Sequence, residues 1–175
     1  TGAKPKKLFN INALTEEAFN TFEVDSNEIP IVIGNPPYLA FSNNKEKFIT
    51  DLIEDYKYID SERLIEKNMK SIQDDYVKFI RFAEHKVSKF SKGIVALVTP
   101  HSFIDNPTAR GMRYSLMQSF NHIKIINLHG NSRKKEKTPD GYKDENVFDI
   151  QQGIAISFFI KNPEIENSVF YTDWW

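Results

Sequence analysis

The chain has 175 residues, 40% apolar and 27% charged, with a net charge of −1. That is enough for one domain with a core of its own, without the overall basic bias that announces a nucleic-acid binder, so any basic surface must be local. It contains no cysteine, which excludes disulfides, thiolate metal sites and a cysteine nucleophile and fits a cytoplasmic protein. No apolar run approaches the roughly 18–20 residues needed to span a bilayer, and the first residues lack the apolar core of a signal peptide. With no initiator Met and an abrupt stop at Trp174-Trp175, both ends are expected to be cut from something longer.

Glu28 to Gly34 holds a β-branched apolar run that predicts a buried strand ending at Gly34. Residues 43–73 are charged and only weakly periodic, and are expected to be a mobile insertion with some helix. From about Asp74 to Phe90, Tyr76, Phe79, Ile80, Ala83, Val87 and Phe90 share one helical face. Asp74 is placed to cap that helix and Gly93 to terminate it. Gly93 to Val98 reads as a second strand, stopped by Thr99-Pro100. Asn106-Pro107 is a cap followed by proline at the first helical position, and Ala109, Met112, Leu116 and Phe120 then mark a second helix. Ile123 to Leu128 is a third strand, ended by His129-Gly130. Residues 131–146 form a polar loop with Asp140-Gly141 as its turn. Ile154 to Ile160 is a fourth strand, and Val169 to Tyr171 starts a fifth.

Strands alternating with helices predict an α/β fold with a mostly parallel sheet. The connection into the fourth strand has no helical pattern. A polar loop joins antiparallel neighbours far more readily than parallel ones, so that strand is expected to run antiparallel to the third. Three readings argue against other chemistries. His85, His101, His122 and His129 have no metal-ligand spacing, and no metal site is expected; His101 and His129 read as polar loop positions at strand ends. Asp74-Asp75 reads as a helix start rather than a catalytic carboxylate pair. Ser102 lacks the glycines of a nucleophile elbow.

The segment with most chemical content is Asn35-Pro36-Pro37-Tyr38, at the carboxyl end of the first strand, where open α/β sheets place their ligands. The prolines fix the backbone and have no N–H to donate, so their carbonyls project as rigid acceptors. Asn35 adds a side-chain oxygen, and Tyr38 adds a flat face for stacking. Such a pocket suits a planar amine with two N–H groups, as on a purine. Two hydrogen bonds to acceptors would make its delocalised nitrogen more nucleophilic. The bland alternative is a strand-ending turn.

Four stretches, in this order, resemble the adenine-specific amino-methyltransferases of restriction–modification systems: Ile33 to Tyr38; Asp75 to Ala83; Gly93 to Asp105; and Gly111 to Ile150, with Asn127-Leu128-His129-Gly130-Asn131 and Asn146-Val147-Phe148-Asp149-Ile150 inside it. The likeness is closer to the methyltransferase domain of large single-chain restriction enzymes that also carry nuclease and helicase parts. The resemblance implies a class I (Rossmann-like) methyltransferase fold. This chain would hold the C-terminal half of the sheet, mostly parallel with one antiparallel strand. It implies S-adenosylmethionine as cofactor, double-stranded DNA as partner and the exocyclic amine of a flipped adenine as methyl acceptor. Asn35, Pro36, Pro37 and Tyr38 would be the catalytic segment. Tyr38 would stack on the base and Phe148 would stand edge-on to it, unless Phe148 is simply a core residue. Asn12 matches, by spacing, a polar residue that contacts the cofactor's adenine, with Asn35 and Pro37 also facing the cofactor.

The family's glycine-rich cofactor turn has no counterpart here, because the seven glycines, at 2, 34, 93, 111, 130, 141 and 153, are scattered. That turn is expected upstream in a longer protein, with nuclease, helicase or target-recognition parts elsewhere in it. The isolated chain is therefore expected to be inactive. Arg133, Lys134, Lys135 and Lys137 are candidates for DNA phosphates or else a solvated loop. Two rivals remain: a methyltransferase acting on glutamine or RNA bases, and an inactive fragment serving as an interaction scaffold.

Overall fold

The computed structural model describes residues 28–40, 42–66, 69–146, 148 and 150–175. Its main sheet contains β1 (Ile31–Gly34), β4 (Gly93–Pro100), β5 (His122–Asn127), β6 (Ile154–Lys161) and β7 (Ser168–Asp173). A small hairpin pairs β2 (Tyr58–Ile59) with β3 (Glu62–Arg63). Three helices accompany them: α1 (Lys47–Glu54), α2 (Asp75–Ser88) and α3 (Arg110–Ser119). The spatial order of the sheet is β1-β4-β6-β5-β7. β1 runs parallel to β4, and β5 to β7, while β6 is antiparallel to both its neighbours. Four strands thus share one direction and one opposes them, as expected. The polar connection does more than reverse the chain, because it inserts β6 between β4 and β5.

The core lies on one face of the sheet. Val32, Val95, Phe159 and Ile123 occupy paired positions across four strands and pack in one cluster with Tyr76, Ile80 and Val87 of α2 and Met112 and Leu116 of α3. Alternation of side chains across a strand puts the neighbouring residues on the other face. There the expectation of a fully buried first strand fails. Val32 is buried, but Ile31 and Ile33 are 57% and 71% exposed, because among the described residues no helix covers that face at this end of the sheet.

Three further expectations need correction. The described residues between 43 and 73 are integrated into the core rather than loose. Ile49 and Ile53, one helical turn apart on α1, are fully buried, and Ile49 packs against Phe79 and Phe82 of α2. Four-residue spacing within eight residues was hidden by the charges between. Asp74 stands at the N-cap of α2 but makes no capping hydrogen bond. The helix ends at Ser88, two residues short of Phe90, and Gly93 does not terminate it. Gly93 instead opens β4, where a Cβ would lie 2.6 Å from Val87 Cγ1, so glycine permits close packing of strand on helix. The Asn106 cap forms as read, with its Oδ1 accepting from Thr108 N at 3.0 Å and Pro107 following.

Candidate active site at the carboxyl ends of the strands

Asn35 to Tyr38 leave the end of β1 on the side of the sheet where β4, β5 and β7 also end. The loop is pinned to the start of α2, since Asp75 N donates to Leu39 O at 3.1 Å and Ser42 N donates to Gln73 O at 3.1 Å. Pro36 is buried and Asn35 is exposed. The Tyr38 hydroxyl donates to Asn35 Oδ1, so the acceptor expected to be open is held by its own neighbour. Partial burial pushes the Tyr38 phenol up from its ordinary value, and the bond to Asn35 opposes this. The phenol stays protonated, and the bond keeps the amide oriented.

The structure brings Phe148 to this loop from 110 residues further along the chain. Its ring meets that of Tyr38 edge-on, with centroids 6.2 Å apart and planes at 69°. Phe148 is 39% exposed, so it is not a core residue. Asn146, to which no role was given from sequence, positions it. Asn146 Oδ1 accepts from Phe148 N at 2.8 Å, while its Nδ2 donates to Gly130 O at 3.1 Å and to Gln152 O. Gly130 has φ +77°, and a Cβ there would strike Asn146 Cα at 2.6 Å. The aromatic is thus fixed to the end of β5 through a glycine and an amide.

Behind the aromatic pair lies a polar network. His101 and His129, read as polar loop positions, are in fact buried. Asn127 Oδ1 accepts from His101 Nδ1 at 2.8 Å, and His101 Nε2 accepts from Asn131 Nδ2 at 3.2 Å, which assigns the proton to Nδ1. Gly153 provides space for this ring, since a Cβ would lie 2.3 Å from His101 Cε1. His129 Nε2 lies 2.9 Å from Asp173 Oδ1, and its ring stacks on Trp175 at 3.5 Å. The hydrogen bond from Tyr171 is the main cause holding the Asp173 carboxyl below the usual range. Ser102, far from a hydrolase arrangement, shares a 2.9 Å hydrogen bond with the buried Tyr76.

A cavity of about 700 Å³ opens beside the loop, lined by Ala40, His101, Ser102, Asn131 and Gly153 among others. Of the four basic residues expected at DNA phosphates, Arg133 and Lys134 line it and Lys135 and Lys137 do not. Lys134 is paired with Asp105 at 2.6 Å. Lys135 adopts a left-handed backbone, with φ +51°, and Lys137 pairs through its backbone with Lys143. Asn12 lies outside the described residues. Among those residues no helix is long and apolar enough to cross a membrane.

The sheet order, with an antiparallel strand inserted between two parallel ones, and the Asn35–Tyr38 loop at the end of β1 define a class I methyltransferase-like fold. Residues 3–134 match the family model described as Eco57I restriction-modification methylase, and the chain belongs to that family. Among solved structures it is similar to a nuclease-deletion mutant of the Type ISP restriction-modification enzyme LlaGI in complex with a DNA substrate mimic, at 29% identity and TM-score 0.69. It is similar at 28% identity and TM-score 0.65 both to LlaBIII, an ATP-dependent Type ISP enzyme bound to DNA, and to DrdV in a DNA complex. Each alignment covers 83% of this chain but only 14%, 10% and 14% of those chains, respectively. No curated protein sequence matches the chain.

Proposed function

We propose that this chain is the substrate-facing half of a DNA methyltransferase domain that methylates the exocyclic amine of adenine within a restriction–modification enzyme. The observation that carries the reading is the edge-on pairing of Tyr38 with Phe148 beside the Asn35 acceptor. Two aromatics and an amide oxygen at one strand end suit a flat base that presents an amine. Such a base must first leave the duplex, at a cost of a few kcal/mol. Contact with Tyr38 and Phe148 offsets part of this, since base–aromatic stacking contributes roughly 1–3 kcal/mol per base.

The Tyr38 hydroxyl gives up Asn35 Oδ1 to one amine hydrogen as the base enters, and a proline carbonyl accepts the other. This draws the amine nitrogen out of conjugation and exposes its lone pair. When bound, S-adenosylmethionine supplies a methyl carbon on a positively charged sulfur, and transfer leaves a neutral thioether and one proton. Asn35 and Pro37, at the strand end, fit the edge of that cofactor. No described glycines cluster to form a cradle for the rest of it, which we assign to another part of a longer chain. The matched enzymes, about six to eight times as long, support that assignment.

In the complete enzyme, Asn35→Ala should cut methyl transfer by about 100-fold or more, the scale seen when one preorganised polar contact to a reacting group is removed. DNA affinity, set mainly by phosphates, should change little. Labelled cofactor and nucleoside digestion read both the rate and the acceptor. Unchanged incorporation would remove Asn35 from the mechanism, and label found in cytosine or in protein would overturn the assignment to adenine.

A further inference from the structure

The basic residues at the mouth of the 700 Å³ cavity divide into those with an acidic partner and those without. Lys134 is neutralised by Asp105. Arg133 uses only its Nε, on Gln151 Oε1 at 3.3 Å, and its two terminal nitrogens have no ion partner among the described residues. Lys70, from the short turn Lys70–Gln73 that precedes α2, also lines the cavity and is exposed. No carboxylate among the described residues pairs with it. Its backbone is nonetheless fixed, because Ile72 beside it is 1% exposed and Ser71 Oγ lies 2.8 Å from Thr108 Oγ1.

We propose that Lys70 and Arg133, delivered to one cavity mouth by two segments 63 residues apart, form a clamp for the phosphates flanking the flipped nucleotide. The inference rests on the function proposed above, and adds Lys70 as a contact that neither motif nor composition marks. The cavity is within the range of specific ligand sites, about 300–1,000 Å³. Its lining includes Ala40, two residues beyond Tyr38, so a strand whose base reaches Tyr38 carries its own phosphates past this mouth. Asp74 also lines the cavity. A guanidinium with two free terminal nitrogens suits two phosphate oxygens, and a lysine supplies a point charge.

The test is the salt dependence of DNA binding by the complete enzyme, measured on duplexes with and without its target site. Each phosphate contact contributes close to one unit to the slope of log affinity against log salt. Lys70→Ala and Arg133→Ala should each lower the slope by about one on the site-containing duplex, and the double variant by about two, with a smaller change on the duplex that lacks the site and has no nucleotide to flip. Lys70→Arg should restore it, and Lys124→Ala, on the exposed face of β5, should leave it unchanged. A slope on site-containing DNA that Lys70→Ala does not move, or an equal loss on both duplexes, would overturn the clamp. If the slopes fall as stated while the wild type puts no methyl group on adenine, the clamp stands and the proposed reaction falls.

Discussion

Two polar clusters in this molecule are built in opposite ways. In the helical layer, Glu84 is 1% exposed and its carboxylate is fully used. It accepts from Tyr56 Oη at 2.8 Å and from Ser115 and Ser119 Oγ at 2.7 Å each, and Arg81 Nη1 lies at 3.1 Å. Arg81 in turn donates to Leu52 O at 2.9 Å and pairs with Asp55. At the strand ends, by contrast, the aromatic pair is partly open, Asn35 is exposed, and Lys70 and Arg133 stand without acidic partners among the described residues. A buried charge survives only when its hydrogen-bonding capacity is satisfied inside the protein. Groups left unsatisfied at a concave surface are those available to a ligand. The first cluster holds α2 against α3 and the turn after α1, and the second stays open to solvent, as the proposed function requires.

The sharpest way to break that contrast is to remove Glu84. Glu84→Ala should cost roughly 3–5 kcal/mol, the usual result of breaking a buried, hydrogen-bonded charge pair. Arg81 and three hydroxyls would lose a partner in a space that water does not easily enter. Urea melts of the complete enzyme would register this as a shifted midpoint, with Glu84→Gln retaining part of the stability. A loss below about 1 kcal/mol would mean that the hub fills space without organising the helices.

Phe148→Ala should behave in the opposite sense. A core phenylalanine costs roughly 3–5 kcal/mol when truncated, but this ring is already 39% exposed and stability should change by less than about 1 kcal/mol. The base-flipping equilibrium should instead weaken by roughly 1–3 kcal/mol. Fluorescence of 2-aminopurine at the target position reads that loss directly. A large drop in stability with unchanged fluorescence would return Phe148 to the core.

Much of the frame was legible because its signals are local. The apolar runs ending at Gly34, Thr99-Pro100 and His129-Gly130 mark β1, β4 and β5, the Asn106-Pro107 pair marks a cap, and the absence of a crossover helix marks β6 as antiparallel. Asn35 to Tyr38 could be found because proline, amide and phenol stand side by side in sequence. Other features depend on contacts that no short window contains. Glu84 looks like one more charge on an amphipathic helix until Ser115, Ser119 and Tyr56 close around it. Lys70 looks like part of a charged stretch until the 106–109 turn and Arg133 join it at one cavity. Asn146 and Gly153 act only through distant backbone and ring atoms, and the seat for His101 has no sequence signature beyond a glycine before a strand.

The smallest expected effect concerns the boundary between the two kinds of cluster, the exposed pair Asp105–Lys134. The hydrogen bond from Lys134 is the main cause holding the Asp105 carboxyl below its ordinary range. A carboxyl depressed in the folded state adds stability above its unfolded value, about 3.9, and loses it as pH falls through the lower folded value. Wild type should therefore exceed Asp105→Asn slightly in stability at neutral pH. The margin should shrink with added salt, because both side chains are largely exposed, and vanish once the carboxyl is protonated. Paired denaturation series across that acid range, at low and high salt, measure it. A margin that persists in acid would show that Asp105 acts through packing rather than charge. Lys134 would then have to be counted with Lys70 and Arg133 among the cations free to meet a phosphate.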